Sequence, residues 1–242
     1  MELIALISLA VFIAAVLRGL TGFGFALAAV PAMSLLIAPS RAVTVAILLQ
    51  CMVGLRDTVR MRALVNRRAL VLMTIGAVIG TPLGILALTR LSPDAMRIVL
   101  AVLVGIGLAA LMLKVRLGAG RRTAIGAGFF AGLFSGLAAM PGPPAIAYFL
   151  GTATPAKNTR ASLMVFFFLT SLVALPGLAW AGQIDRQSLI QAAFALPALL
   201  IGTWAGGQAF NRLDEGGYRT AAIALLAVTA ALTALRGVAG LL

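Results

Sequence analysis

Apolar stretches of helical length, separated by short polar or Gly/Pro-rich interruptions, recur from one end of this chain to the other. Read against helix breakers, they predict helices over residues 2–18, 24–38, 41–55, 69–89, 95–113, 123–139, 143–153, 160–180, 188–210 and 217–236. A membrane-spanning helix needs about 20 residues, within a range of about 17 to 25. The segments beginning at 24 and 143 are therefore too short to cross comfortably. Each follows an interruption rich in Gly and Pro: Arg18-Gly-Leu-Thr-Gly-Phe-Gly24 before the first, Ser135-Gly-Leu-Ala-Ala-Met-Pro-Gly-Pro-Pro144 before the second.

Composition sharpens that pattern. The chain is 62% hydrophobic and 10% charged, where a soluble domain carries about 25% charged residues. An all-α integral membrane protein follows, with residues 1–242 as a single transmembrane domain. The N-terminal MELIALISLAVFIAAVL has an acid at position 2 and no small-residue cleavage site, so it reads as a retained helix.

The two interruptions belong to a duplication. IGTPLGILALTRLSPDAMR (79–97) aligns without gaps with IGTWAGGQAFNRLDEGGYR (201–219), Gly19-Leu20 matches Gly132-Leu133, and Pro31 matches Pro144. The halves are 1–113 and 123–242, joined by a connector at 114–122. Arg56, Arg60, Arg62, Arg67 and Arg68 crowd one connector (56–68), and Lys114, Arg116, Arg121 and Arg122 another, whereas Asp185 and Arg186 cancel in 181–187. Basic loops stay in the cytoplasm, so equivalent loops of opposite bias imply an inverted repeat. Gly76/Gly80/Gly84, Gly128/Gly132/Gly136 and Gly202/Gly206 have the spacing of close helix packing.

Why should greasy helices be interrupted? Backbone groups exposed in hydrocarbon cost several kcal/mol each unless protein, water or ligand satisfies them, so irregular backbone is tolerated where it lines a cavity. Paired interruptions in two halves are the best sequence pointer to a transporter's binding site. A short helix starting at Phe25 or Ala145 aims free N–H groups and its positive dipole end into the gap, which favours an anion. The candidate binding residues are Arg18, Gly19, Thr21, Gly22, Phe23 and Gly24 in the first interruption and Ser135, Gly136 and Gly142 in the second. Tyr148 follows the second, and Gln50 and Thr170 fall near corresponding positions of the repeat. Arg41 and Arg160, equivalent in the two halves, are expected at opposite mouths, steering anions or anchoring helix starts.

Arg18 is the most informative charge. Glu2, Asp57, Asp94, Asp185, Asp214 and Glu215 all fall at segment ends or in connectors, which leaves Arg18 without a buried partner and free to snorkel or to bind an anion. The rival is a non-transporting structural subunit whose interruptions are ordinary surface turns with Arg18 in the headgroups.

Other chemistry is excluded by what is missing. There is no histidine, Cys51 is the only cysteine, and no acid is expected inside a span; a metal cluster, a Ser-His-Asp triad and a carboxylate proton relay all fail on that ground. No enzyme activity and no cofactor are expected. The net charge of +13 comes without basic patches interleaved with stacking aromatics, so a nucleic-acid partner is not expected either. The expected partners are a small anion and the lipid bilayer, with homo-oligomerisation left open.

A first helix leading into a G-x-x-G-x-G turn (Gly19, Gly22, Gly24) with Pro31 beyond it, repeated as GLFSGLAAMPGPP, resembles the sulfite exporter TauE/SafE family. The second copy places Gly132, Ser135, Gly136 and Gly142 on the motif, while Phe23 and Ala138-Ala139-Met140 depart from the family's glycine-richer pattern. The resemblance implies a multi-pass permease of the bacterial inner membrane. It also implies a cargo among sulfite, sulfoacetate, other sulfonates and organic acids.

Overall fold

The structure, a computed structural model, describes residues 2–21, 24–113, 115–152 and 155–210, together with positions 231, 235, 238 and 239. Nine helices follow one another among them: α1 (Glu2–Thr21), α2 (Phe25–Ser34), α3 (Pro39–Met61), α4 (Arg67–Arg90), α5 (Pro93–Met112), α6 (Arg121–Ala138), α7 (Gly142–Gly151), α8 (Ala156–Trp180) and α9 (Arg186–Phe210). No strand occurs among the described residues. Helices α1, α3, α4, α5, α8 and α9 are long and apolar enough to cross a membrane. Helices α2 and α7, at 10 residues each, reach only about 15 Å. The helix expected over 217–236 falls outside the described residues except at positions 231 and 235.

Of the boundaries that differ from the sequence reading, two bear on the site, and both differ for one reason. Helix α1 runs on to Thr21, so residues 19–21, read from the sequence as part of the first interruption, are helical. Helix α3 continues to Met61, which puts Arg56, Asp57 and Arg60 on its last turns and shrinks the connector from 56–68 to 62–66. Arginine is a good helix former, and its long stem lets a helix continue after the apolar run has stopped.

Glycine seams hold the bundle together. Gly128, Gly132 and Gly136 of α6 press on Met73, Ala77 and Thr81 of α4, and Gly76, Gly80 and Gly84 press back on Ile125, Phe129 and Leu133. Because both numbers rise together, α4 and α6 run parallel; a methyl group at any of these glycines would overlap the facing backbone. Helices α1 and α9 form a second parallel seam, with Gly202 on Phe12 and Gly206 on Val16. Helices α3 and α8 run antiparallel. Gly54 rests on the Phe168 ring, and the Asn66 N–H donates to Ser162 Oγ at 2.9 Å.

The parallel start of α4 and α6 brings Arg67, Arg68 and Arg121 to one cavity, on the face that the charge rule assigns to the cytoplasm. At the opposite face Arg41 meets Asp185 at 3.2 Å. Asp185 also caps α9, accepting the Ser188 N–H at 2.7 Å while its own N–H donates to Ser188 Oγ at 3.0 Å. Those two Ser188 groups, and after them Arg41, hold its carboxyl below the usual carboxylate range. Trp180, 94% exposed, ends α8 on that side, where an indole suits the headgroup layer.

Candidate functional site

Both short helices begin at an irregular turn. Gly24 takes φ 89°, a left-handed conformation natural to glycine, and α2 starts at Phe25. Helix α6 stops where Ala139 adopts φ 58°, with its N–H bonded to Ser135 O at 2.8 Å and the Met140 N–H bonded to Phe134 O at 3.1 Å. A left-handed alanine costs about 1 kcal/mol or more. Pro141 follows, and α7 opens on Gly142-Pro143-Pro144, where prolines fit a first turn.

These two turns converge. A cavity of about 20 Å³ is lined by Gly24 to Leu27 at the start of α2 and by Ala139 to Gly142 at the start of α7. Arg18 of α1, Gln50 and Gly54 of α3, and Met164, Phe167 and Phe168 of α8 complete its wall. That volume holds about one water molecule. Helix α2 presents the first-turn N–H groups of Phe25, Ala26 and Leu27, the positions where a helix start leaves donors outside its own ladder; among the described residues the Ala28 N–H closes a turn on Gly24 O at 3.2 Å. Helix α7 offers fewer donors, since Pro143 and Pro144 have none.

Arg18 is buried, at 7% exposure, and its Nη2 donates to Asp57 Oδ2 at 2.5 Å. The sequence reading left it without a buried partner; the extension of α3 supplies one, itself 8% exposed. Arg18 Nη1 has no hydrogen-bond partner among the described residues. Arg160, one turn into α8, donates to Gly19 O at 3.0 Å and lies within electrostatic reach of both Arg18 and Asp57. Two guanidiniums thus gather around one carboxylate beside the cavity.

Of the residues chosen from sequence, the structure brings Arg18, Gly24, Gln50 and Gly142 to the cavity. Gln50 Nε2 donates to Ala139 O at 3.4 Å, joining α3 to the second turn. The others are placed elsewhere. Gly19 packs on Thr203 and Gly206 of α9, and Gly136 on Thr81 of α4. Ser135 is fully buried, with no partner for its hydroxyl among the described residues. Thr170 turns its hydroxyl to Phe167 O in its own helix. Tyr148 lies in the apolar cluster between α4, α6 and α8, within electrostatic reach of Arg68. Arg41 and Arg160 mark opposite faces, through Asp185 and through Asp57 at the far end of α3. Thr21 is the last residue of α1, while Gly22 and Phe23 lie outside the described residues.

Sequence reasoning missed Asp57. A signal was available: Gln50, Gly54 and Asp57 follow the i, i+4, i+7 pattern of one helix face, which carries the wall of the cavity down to the ion pair.

Comparison with known proteins agrees with this architecture. The profile of the family described as Sulfite exporter TauE/SafE matches residues 7–233. A curated relative from Cupriavidus necator, named a probable sulfite/organosulfonate exporter TauE, is 32% identical over 148 residues, which cover 59% of this chain and 58% of that protein. The match thus spans less than two thirds of the relative's length. No solved structure gives a significant match. With a family profile covering nearly its whole length and six apolar spans among the described residues, this multi-pass protein of the bacterial inner membrane belongs to the sulfite exporter TauE/SafE family.

Proposed function

We propose that the protein moves a small sulfur-containing or organic anion, such as sulfite, sulfoacetate or another sulfonate, by alternating access around the central cavity. The curated relative's name points to the same class of cargo. The observation that carries the reading is the meeting of two half-helix N-termini beside a buried arginine with an unused N–H donor. In a low-dielectric interior each of these elements favours a negative guest. The two halves act as an inverted repeat in this reading, for which the antiparallel run of α3 against its counterpart α8 argues. Arg18 supplies charge, the α2 amides and Gln50 supply hydrogen bonds, and Thr21, Gly22 and Phe23 stand as sequence candidates for the same site. A cavity with room for one water is too small for a sulfonate, so loading requires the wall of Phe167, Phe168 and Met164 to move.

Cysteine labelling tests this. A Cβ at Gly142 would meet Ile146 Cδ1 and Leu27 Cδ1 at 3.7 Å and Phe167 Cζ at 3.9 Å, all ordinary contacts, so Gly142→Cys fits. In a Cys51→Ser background, that cysteine should react with a small charged thiol reagent and be protected by sulfite or a sulfonate. Proteoliposomes holding the parent protein should exchange the same anion. Reactivity indifferent to every anion, with no flux across a panel of sulfite, sulfonates and carboxylates, would support the structural-subunit alternative and refute the proposal.

A further inference from the structure

A second, wider cavity of about 460 Å³ opens at the basic face, lined by Arg67, Arg68, Val71, Leu72 and Arg121. Arg67 and Arg68 open α4 and Arg121 opens α6. Cations in a first turn oppose the helix dipole, and here three of them stand beside the positive ends of two parallel helices. The α6 cap, Gly120, contributes no side-chain acceptor. The described acids do not offset this charge: Asp57, Asp94 and Asp185 pair with Arg18, Arg97 and Arg41, and Glu2 opens α1. The cluster is the arrangement a phosphate neutralises, through charge-assisted bonds from several guanidiniums at once.

The surface next to the cavity identifies the source of that phosphate. Val71, Ile75, Ile79 and Leu83 follow one another at intervals of four along α4 and are 47% to 60% exposed. They form an apolar strip leading from the cavity along the helix for about 18 Å. One leaflet of hydrocarbon is about 15 Å deep. A free phosphate ion would use the arginines and leave the strip idle, whereas a phospholipid uses both. Basic pockets between helices on the cytoplasmic side are where anionic headgroups bind, and the volume lies in the range of ordinary ligand sites. We infer that the α4–α6 cleft binds the phosphate headgroup of an anionic phospholipid, one acyl chain lying on the Val71–Leu83 strip. The site is independent of what the central cavity transports.

The test uses the full-length protein, delipidated in neutral detergent, with thermal unfolding as the readout. Phosphatidylglycerol at about a hundredfold excess over its Kd should raise the midpoint by about 5 °C. Phosphatidylcholine and inorganic phosphate should leave it nearly unchanged. Arg67→Gln/Arg68→Gln/Arg121→Gln should abolish the response, and Arg56→Gln/Arg60→Gln/Arg62→Gln, which removes equal charge outside the cavity, should keep it. If the first triple variant does not fold, Arg121→Gln alone should weaken the apparent phosphatidylglycerol affinity about tenfold, the loss of one charge-assisted bond. Equal stabilisation by phosphatidylcholine, full stabilisation by inorganic phosphate, or equal loss in both triple variants would overturn the inference.

Discussion

Removing Asp57 should harm the fold more than removing Arg18, although the two form a single ion pair. Both are almost fully buried, at 8% and 7% exposure. Deleting one partner of such a pair costs about 3 to 5 kcal/mol, because the other charge stays buried without compensation. The remaining neighbours differ, however. In Arg18→Gln, Asp57 keeps Arg160 within electrostatic reach, which places the loss near about 3 kcal/mol. In Asp57→Asn, two neighbouring guanidiniums, Arg18 and Arg160, lose the carboxylate they share, which places the loss near about 5 kcal/mol. For a chain of this length, that corresponds to about 10 °C or more in unfolding midpoint. The double variant strands neither charge of the pair and should be milder than the sum of the singles by about 2 kcal/mol or more. Circular dichroism melts of the four proteins in one detergent measure this directly. Additive losses, or an Arg18→Gln protein less stable than Asp57→Asn, would refute the reasoning.

Other outcomes follow from the seams, the outer latch and the second turn. Gly80→Ala would drive a methyl into the Phe129 carbonyl and should force α4 and α6 apart at a cost of about 2 kcal/mol or more; Gly105→Ala, with open space around it, should be neutral or stabilising by up to about 1 kcal/mol, both read by thermal melts. Asp185 has a depressed pKa in the folded chain, so its stabilisation is complete above the unfolded value of about 3.9 and fades as pH falls through the lower folded value; midpoints measured between pH 6 and pH 3 should drop less steeply in Asp185→Asn than in the parent. Gln50→Leu leaves Ala139 O without its donor and should cost about 1 to 3 kcal/mol, with anion exchange slowed in proteoliposomes.

Much of the architecture was legible because membrane helices announce themselves through length and apolarity. The eight helices before residue 186 and α9 all fall on segments read from the chain, and the short pair α2 and α7 stood out by failing the length test. The glycines of the α4–α6 seam were legible through their spacing, though Gly136, taken for a site residue, belongs to that seam. The ends of α1 and α3 were not legible from apolarity alone, since a helix can continue into charged residues once their tips find a partner or water. That single omission hid Asp57 and left Arg18 looking alone. The hydroxyl of Thr170 was not legible for a different reason: a hydroxyl near a matching repeat position can satisfy itself on its own helix, as this one does on Phe167 O, and no spacing rule reveals which way it turns.

The two parallel seams constrain how the molecule can move. Each joins helices from opposite halves, α1 with α9 and α4 with α6, so the halves interlock as clasped hands do and cannot swing apart as separate bodies. Contacts in which backbone lies on backbone are stiff, and loosening them would forfeit packing along their whole length. The stiff elements are therefore two cross-braced rails, and in the proposed transport the parts left to move between them are the short plugs α2 and α7 and the α8 wall of Met164, Phe167 and Phe168.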